Sequence, residues 1–485
     1  METEYASVVI DPWFSRSGAF YGSWMQYPSN HDLAESARSA LLRENSLLLL
    51  SHEHGDHFDR EFLSTLPSGL EVAIARFGDK FLSSELELFG FHVTEVDEGA
   101  SFQFGDLSIR FFVVDEGTAS DAAILVEGEG FRFLNQNDCK MFDRLSEVSL
   151  PITHYAVQYS GASWYPECFL YDDATKKRRS ADSVANKIKN VQHALHVLRP
   201  ETFVPSAGPV AFPFLPPDFG RPASSVFVHQ DKLEAELELP AHTSVCFARP
   251  GDLVERGVST SPIPAPTDAE IAWYQSNCVD AWEFLPDELD TTALLEVINA
   301  RLSGIAGIAP SDTPIIEFSW GAEEADRCLI DLHEGSVSLG RRPVENRPSI
   351  SVSAEPRYFR LLVENPRWQE VVLSFRARIH RSPDRFNNWV NLFLYSVPET
   401  VEANFRSARV ERTERFEVEV RDLGRFTVDR WCPHQGADLA TARIEGSCVV
   451  CPRHGWRFDV ADAGRDARSG SSINATRSKR SGSDG

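Results

Sequence analysis

Cys432-Pro433-His434 and, sixteen residues after it, Cys451-Pro452-Arg453-His454 constrain this chain more than any other stretch. Each half offers one thiolate and one imidazole on a loop punctuated by Pro and Gly (Pro433 and Gly436, Pro452 and Gly455), short enough to bring both onto one small inorganic group. Two Cys and two His so arranged suit a Rieske-type [2Fe-2S] cluster, with Cys432 and Cys451 on one iron and His434 and His454 on the other. Imidazoles in place of two thiolates leave that centre less negative, and easier to reduce, than an all-Cys one. The four ligands would also satisfy a tetrahedral zinc, but the flanks at 416–420 and 456–460 read as strands and not as a finger helix. Cys448 reads as a strand residue, because only Cys451 has a His at the right offset. A small all-β module over residues 401–464 is the expectation.

An electron relay serves a second site. With 485 residues the chain has room for two or three domains with ample cores. A net charge of -24 excludes a general nucleic-acid or anionic-membrane binder, since both demand a basic surface. Cys139, Cys168, Cys246, Cys278, Cys328 and Cys448 are scattered without framework spacing, which points to reduced thiols in the cytoplasm. The start Met1-Glu2-Thr3-Glu4 is acidic where a secretory signal is basic, and no apolar run reaches spanning length.

Ser46-Leu47-Leu48-Leu49-Leu50-Ser51 is a continuously apolar strand of the kind buried on both faces, and it stops at His52-Glu53-His54-Gly55-Asp56-His57. Four candidate ligands, His52, His54, Asp56 and His57, thus share a loop at a strand's carboxyl end. Gly55 eases the turn, and Asp59 is placed to cap a helix over 60–66. The pattern resembles the His-x-His-x-Asp-His motif of the metallo-β-lactamase fold, and Val8-Val9-Ile10-Asp11-Pro12-Trp13 fits an early strand of it. That fold normally has a strand or two earlier still, so a shortened start is expected. Strand patterns follow at 72–75, 108–114 and 122–127, and then Phe131-Arg132-Phe133-Leu134-Asn135 leads into Gln136-Asn137-Asp138. An Asp after such a strand bridges the metals in that fold, which makes Asp138 the candidate carboxylate.

Two histidines that a two-zinc hydrolase of this fold needs are missing: 114–121 and 204–209 contain none, and His229 is a weak substitute. The remaining His52, His54, Asp56, His57 and Asp138 are thin for two zincs and sufficient for one iron. Two His and one carboxylate with open positions is the arrangement of oxygen-activating non-haem Fe(II). The spacing does not choose the ligating subset; His52, His54 and Asp138 are the expected catalytic members.

The loop Gln158-Tyr159-Ser160-Gly161-Ala162-Ser163-Trp164-Tyr165-Pro166 comes next. Lys176, Lys177, Arg178 and Arg179 then precede a helix expected at 182–198, with Val184, Ile188, Val191, Leu195 and Leu198 at helical spacing. Four consecutive cations suit a phosphorylated substrate or a solvated helix face. Asp11-Pro12-Trp13, the 52–57 motif, Asn137-Asp138, the 158–166 loop and Pro205-Ser206-Ala207-Gly208-Pro209, in that order ahead of a C-terminal cluster module, resemble the bacterial UDP-N-acetylmuramic acid hydroxylase family. CMP-N-acetylneuraminic acid hydroxylase is a more distant likeness, with the same two modules in reverse order. Residues 376–384 and 386–391 extend the likeness, which covers roughly residues 8–460.

The resemblance implies a multidomain α/β protein: a metallo-β-lactamase-like αββα sandwich and an all-β Rieske [2Fe-2S] domain. It implies an oxygen-dependent hydroxylase with a mononuclear non-haem iron, converting N-acetyl to N-glycolyl on a nucleotide-activated amino sugar. Electrons would come from an external ferredoxin or reductase. Gln158 and Tyr159 would contact substrate, and Lys176, Lys177, Arg178 and Arg179 would meet its phosphates. Cluster and iron would meet within one chain or across a homo-oligomer boundary. The same chemistry on another natural-product substrate, and a zinc hydrolase with a redox-sensing Rieske module, stand as alternatives.

The sandwich is expected over 1–250. Residues 251–400 read as a connector, with helices at 268–275 and 291–301, and a small α+β domain that includes an aromatic-rich helical segment over about 365–395. Residues 465–485, rich in Ser, Gly and Arg, are expected to be a disordered tail.

Overall fold

The computed structural model describes residues 1–115, 120–217, 219–220, 225–340, 347–410 and 412–478. The chain divides into two compact units. One comprises the described residues of 1–115, 120–288 and 367–377, and the other those of 289–366 and 378–478. Residues 251–288, expected as part of a connector, group with the first unit, and a short later segment returns to it.

In the first unit a parallel sheet runs β1 (Ser7–Ile10), β2 (Ser46–Leu50), β3 (Glu71–Ala75), β4 (His92–Val96). A second sheet orders β5 (Phe102–Phe104), β6 (Leu107–Asp115), β7 (Ser120–Gly128), β8 (Phe131–Asn137), β9 (His154–Gln158), β10 (Thr202–Ser206) and β11 (Ser244–Val245). Its strands are antiparallel from β5 to β8 and parallel from there on. Alternate residues sort to opposite faces, as the two-residue period of a strand requires. Leu107, Ile109 and Phe111 of β6 and Ala122, Ile124 and Val126 of β7 share a core with Leu47, Leu49, Val72 and Ile74, and with residues of α1 (Ala34–Leu41), α2 (Arg60–Leu63) and α3 (Phe81–Leu88). Phe112, Val114, Ala123 and Leu125 face the other way, onto Val184, Ile188, Val191, Leu195 and Leu198 of α4 (Asp173–Leu198). The layers are thus αββα, the metallo-β-lactamase-like sandwich. All five residues of β2 are buried, as its apolar run demands.

Two helices differ from their sequence limits by three residues or more. Asp59 caps α2 by accepting from Phe62 N at 3.0 Å, but the helix stops at Leu63. Asp172 caps α4 by accepting from Thr175 N at 2.8 Å, so α4 starts at 173 and holds the four cations in its first two turns.

In the second unit a five-stranded sheet has the order β14-β13-β12-β15-β16, from β12 (Ile315–Ser319), β13 (Arg327–Asp331), β14 (Ser336–Leu339), β15 (Ser349–Ser353) and β16 (Arg378–Ser382). The helical segment expected across 365–395 is broken by β16, whose residues pair antiparallel with β15. The cluster module follows with β17 (Arg415–Val420), β18 (Gly424–Asp429), β19 (Arg443–Glu445), β20 (Cys448–Val450), β21 (Arg457–Asp459), β22 (Arg465–Asp466) and β23 (Thr476–Arg477) in two small sheets. Residues 465–478 are thus not a disordered tail. β22 pairs with β21, β23 pairs with β18, and Ile473 is wholly buried in the module's core. Residues 479–485 lie outside the described residues. Among the described residues no helix is long and apolar enough to cross a membrane.

Candidate metal centre and cluster site

The carboxyl ends of β1, β2 and β8 meet at one edge of the sandwich. Asp11, just past β1, accepts from Ser51 N at 2.8 Å and Ser51 Oγ at 2.7 Å, and Asn137 Nδ2 donates to it at 2.5 Å. Its Oδ2 also lies 3.1 Å from His57 Nδ1. An acceptor there holds the proton on Nδ1 and leaves His57 Nε2 facing Asp56 Oδ2 at 3.6 Å and Asp138 Oδ1 at 3.9 Å. Asp11 and Asn137 both have positive φ (45° and 51°), a conformation short polar side chains tolerate, and a register shift in β8 accompanies Asn137.

His52, His57 and Asp138 offer ligand atoms all within 4.8 Å of one another, a 2-His-1-carboxylate set. The metal suits the residues. Asp138 Oδ1, Asp121 Oδ1 and His54 Nε2 are buried with no hydrogen-bond partner among the described residues, which a fully satisfied polar core avoids. Burial, with His57 and His54 adding, holds His52 well below the usual imidazole range, in the neutral form that binds metal. Burial acts against a charged His57, but Asp56, Asp11 and Asp138 outweigh it and raise that ring well above its ordinary value. The site's field thus favours a positive charge, which a divalent cation supplies without a proton.

His54 Nδ1 lies 2.8 Å from His52 Nε2. That separation fits a hydrogen bond, and it also fits two nitrogens on one ion, because ligands at about 2.1 Å subtending a right angle lie about 3 Å apart. His54 and Asp56 therefore border the three-residue set. His229 does not: it precedes α4's neighbour helix Gln230–Glu236 as its N-cap and packs edge-on to Tyr27.

Several contributors went unread in the sequence. Asp121, at the start of β7, puts Oδ1 3.4 Å from His52 Nδ1, and burial followed by Asp138 pushes its pKa well up. The returning segment 367–377 supplies Arg367, which donates to buried Glu53 of the metal loop and lies 3.7 Å over the Phe81 ring. It also supplies Glu370, whose carboxyl is pushed up to about 8 by burial, with Asp56 and Glu53 adding. Trp24 anchors the segment, donating to Leu373 O at 2.8 Å and stacking on Phe375.

The expected substrate residues scatter. Gln158 is buried at the end of β9 and accepts from Lys187 of α4. Tyr159 is fully buried in the core beneath α4. Lys176 pairs with buried Glu167 at 3.0 Å, and Arg179 lies 5.8 Å over Tyr171. Lys177 and Arg178 sit on the same two turns.

In the second unit the two cluster loops are built alike. Cys432 N donates to Ala437 O and Gly436 N to Cys432 O, each at 2.9 Å; Cys451 N donates to Trp456 O at 2.8 Å and Gly455 N to Cys451 O at 2.9 Å. Gly436 and Gly455 take φ of 70° and 67°, the left-handed turn that closes each loop. The thiols of Cys432 and Cys451 are buried within hydrogen-bond reach of each other. The rings of His434 and His454 lie 4.4 Å apart at a steep angle. Trp456 stacks on His434 at 4.4 Å, and Phe386 meets it edge-on at 4.4 Å. Two thiols and two imidazoles converge as a [2Fe-2S] cluster requires.

The model of the Rieske [2Fe-2S] domain matches residues 398–474. The chain carries a Rieske domain. That match also reaches past 464, in line with β22 and the buried Ile473. A Mycobacterium tuberculosis protein provisionally named as a Rieske 2Fe-2S iron-sulfur protein is 24% identical over 95% of both chains. Cytidine monophosphate-N-acetylneuraminic acid hydroxylase from Mus musculus is 23% identical over 81% of this chain and 71% of its own. Aminopyrrolnitrin oxygenase from Pseudomonas fluorescens shares 54% identity over 37 residues, 7% of this chain and 10% of its own. A Rieske domain joined to a 2-His-1-carboxylate metal site is the equipment of an oxygen-dependent, Rieske-type hydroxylase.

Proposed function

We propose that the chain hydroxylates the methyl group of an N-acetyl substituent on a nucleotide-activated amino sugar, giving the N-glycolyl product, with UDP-N-acetylmuramic acid as the leading substrate. The observation that carries the reading is the pairing, in one chain, of the Rieske domain with the His52, His57 and Asp138 set. An unactivated methyl is out of reach of acid-base chemistry at neutral pH, so metal-oxygen chemistry with a stepwise electron supply is needed. The name of the mouse relative, a hydroxylase of a nucleotide-linked N-acetylated sugar, supports the substrate class. The balance is one dioxygen, two electrons and two protons per methyl, giving one hydroxymethyl and one water.

Iron bound by His52, His57 and Asp138 supplies oxygen activation. Asp11 orients His57, Ser51 and Asn137 hold Asp11 in turn, and Glu53 with Arg367 fixes the loop from its other side. Cys432, Cys451, His434 and His454 hold the cluster, and Trp456 and Phe386 shield the His434 ring. An external ferredoxin or reductase is the electron source in this reading.

The test supplies UDP-N-acetylmuramic acid, oxygen and reduced ferredoxin to the holoprotein and reads product mass. One added oxygen supports the reading. An inert mixture with both metals intact removes this substrate, and turnover without oxygen or reductant would place the chain among hydrolases instead.

A further inference from the structure

One half-buried cation at the metal-bearing edge has no counter-ion within ion-pair reach among the described residues. Lys187 is half-buried on α4 and donates to Oε1 of Gln158, the last residue of β9. The partner is a neutral amide. No carboxylate lies within ion-pair distance of Lys187 among the described residues, although Asp138 and Asp121 are close enough to act on it through space. An ammonium has three donors, so two remain to be satisfied. Keeping such a group even partly out of water beside an amide costs free energy unless another acceptor arrives. Burial lowers its pKa only to about 8, so it still carries a proton at neutral pH.

Its position on the helix adds a second constraint. Lys176 and Lys187 are eleven residues apart, about three turns, so they share a face with about 16 Å between them along the axis. Lys177, Arg178 and Arg179 lie beside Lys176. The helix therefore presents cations at two stations, one at its N-terminal turns and one beside the metal-bearing edge. Ser206 Oγ, at the end of β10, the strand next to β9, is also buried with no hydrogen-bond partner among the described residues.

We propose that Lys187, oriented by Gln158, forms a subsite for an anionic oxygen of the substrate, carboxylate or phosphate, next to the reacting group. The inference rests on the substrate reading above and names the feature that would discriminate within that class: a negative group near the methyl that is attacked.

The test measures binding by calorimetry, anaerobically, on the full chain with cluster and metal, so no turnover is required. UDP-N-acetylmuramic acid carries a carboxylate on its sugar, and UDP-N-acetylglucosamine does not. Lys187→Met is expected to weaken the former at least tenfold, with Lys187→Arg retaining most of the affinity and neither variant losing metal or thermal stability. Weakening confined to UDP-N-acetylmuramic acid identifies the carboxylate as the bound group; equal weakening of both identifies a phosphate. Unchanged binding in Lys187→Met overturns the subsite, as does loss of metal with binding intact, which would make Lys187 a neutraliser of Asp138 and Asp121. If the wild-type chain ignores UDP-N-acetylmuramic acid, the substrate reading fails, and inorganic phosphate then judges the subsite. Binding to the wild type and not to Lys187→Met sustains it, and equal binding or none overturns it.

Discussion

Asp11 stands outside the candidate ligand set, yet the geometry makes it the residue on which one ligand's orientation depends. Its carboxylate takes Ser51 N, Ser51 Oγ, Asn137 Nδ2 and His57 Nδ1, and its side chain is 8% exposed. In Asp11→Asn the volume is kept, but one acceptor oxygen becomes a donor that faces Asn137 Nδ2 or the Nδ1 proton of His57. His57 is then free to rotate or change tautomer, and its Nε2 no longer points steadily at Asp138. Losing a carboxylate behind a metal-bound His typically lowers metal affinity 10- to 100-fold, about 1.4–2.7 kcal/mol. The unmade hydrogen bond costs a further ~1–3 kcal/mol of fold stability. The assay is iron content after dialysis against graded chelator, with the visible spectrum of the Rieske cluster as an internal control. The expected result is a 10- to 100-fold leftward shift in the chelator concentration that strips the non-cluster metal, with the cluster spectrum unchanged. An unshifted curve would refute the claim that Asp11 orients a ligand. Loss of both metals together would mean general unfolding and would also sink it.

Arg367→Met leaves Glu53 buried without its partner, and both side chains are at most 10% exposed. A loss of about 3–5 kcal/mol is expected by denaturant unfolding. Glu370, pushed up to about 8, favours the fold most below its unfolded value near 4.5 and loses that contribution as pH rises through 8. Glu370→Gln should therefore match wild type near pH 5 and melt higher than wild type near pH 9, measured on chelator-treated protein; parallel melting curves would remove the burial argument. His434→Cys replaces a neutral ligand with a thiolate and should lower the cluster potential by on the order of 100 mV or more. An unmoved potential in spectroelectrochemical titration would take His434 off the iron.

What could be read from sequence was what lies close together in the chain. The cluster loops span six residues each, and their Pro and Gly mark the turns directly, so the ligand pairs stood out. The 52–57 motif was legible for the same reason, as was β2, whose run of four Leu has no polar face to show. Asp138 needed only the strand before it. Asp121 carried no such mark: it opens a strand, and only the antiparallel pairing of β6 with β7 brings that end to the site. Arg367 and Glu370 sit more than 300 residues from Glu53 and Asp56, a separation at which neither spacing nor periodicity carries a signal. The burial of Tyr159 was not legible, because an aromatic beside a polar strand end carries no sign of which face of the sheet is core. The region after 464 misled through composition, since two-residue strands and a single buried Ile leave almost no pattern.

The return of residues 367–377 to the metal-bearing unit has a consequence for dissection and for ancestry. A fragment ending at 288 would present the histidine loop with Glu53 uncompensated and Trp24 bare, so its failure to hold metal would report a missing wall and not a missing electron donor. Any rearrangement that moved the iron-sulfur half to the front of such a chain had to carry that eleven-residue piece along or replace it. The two units alternate along the sequence, so a single cut in the chain does not separate them.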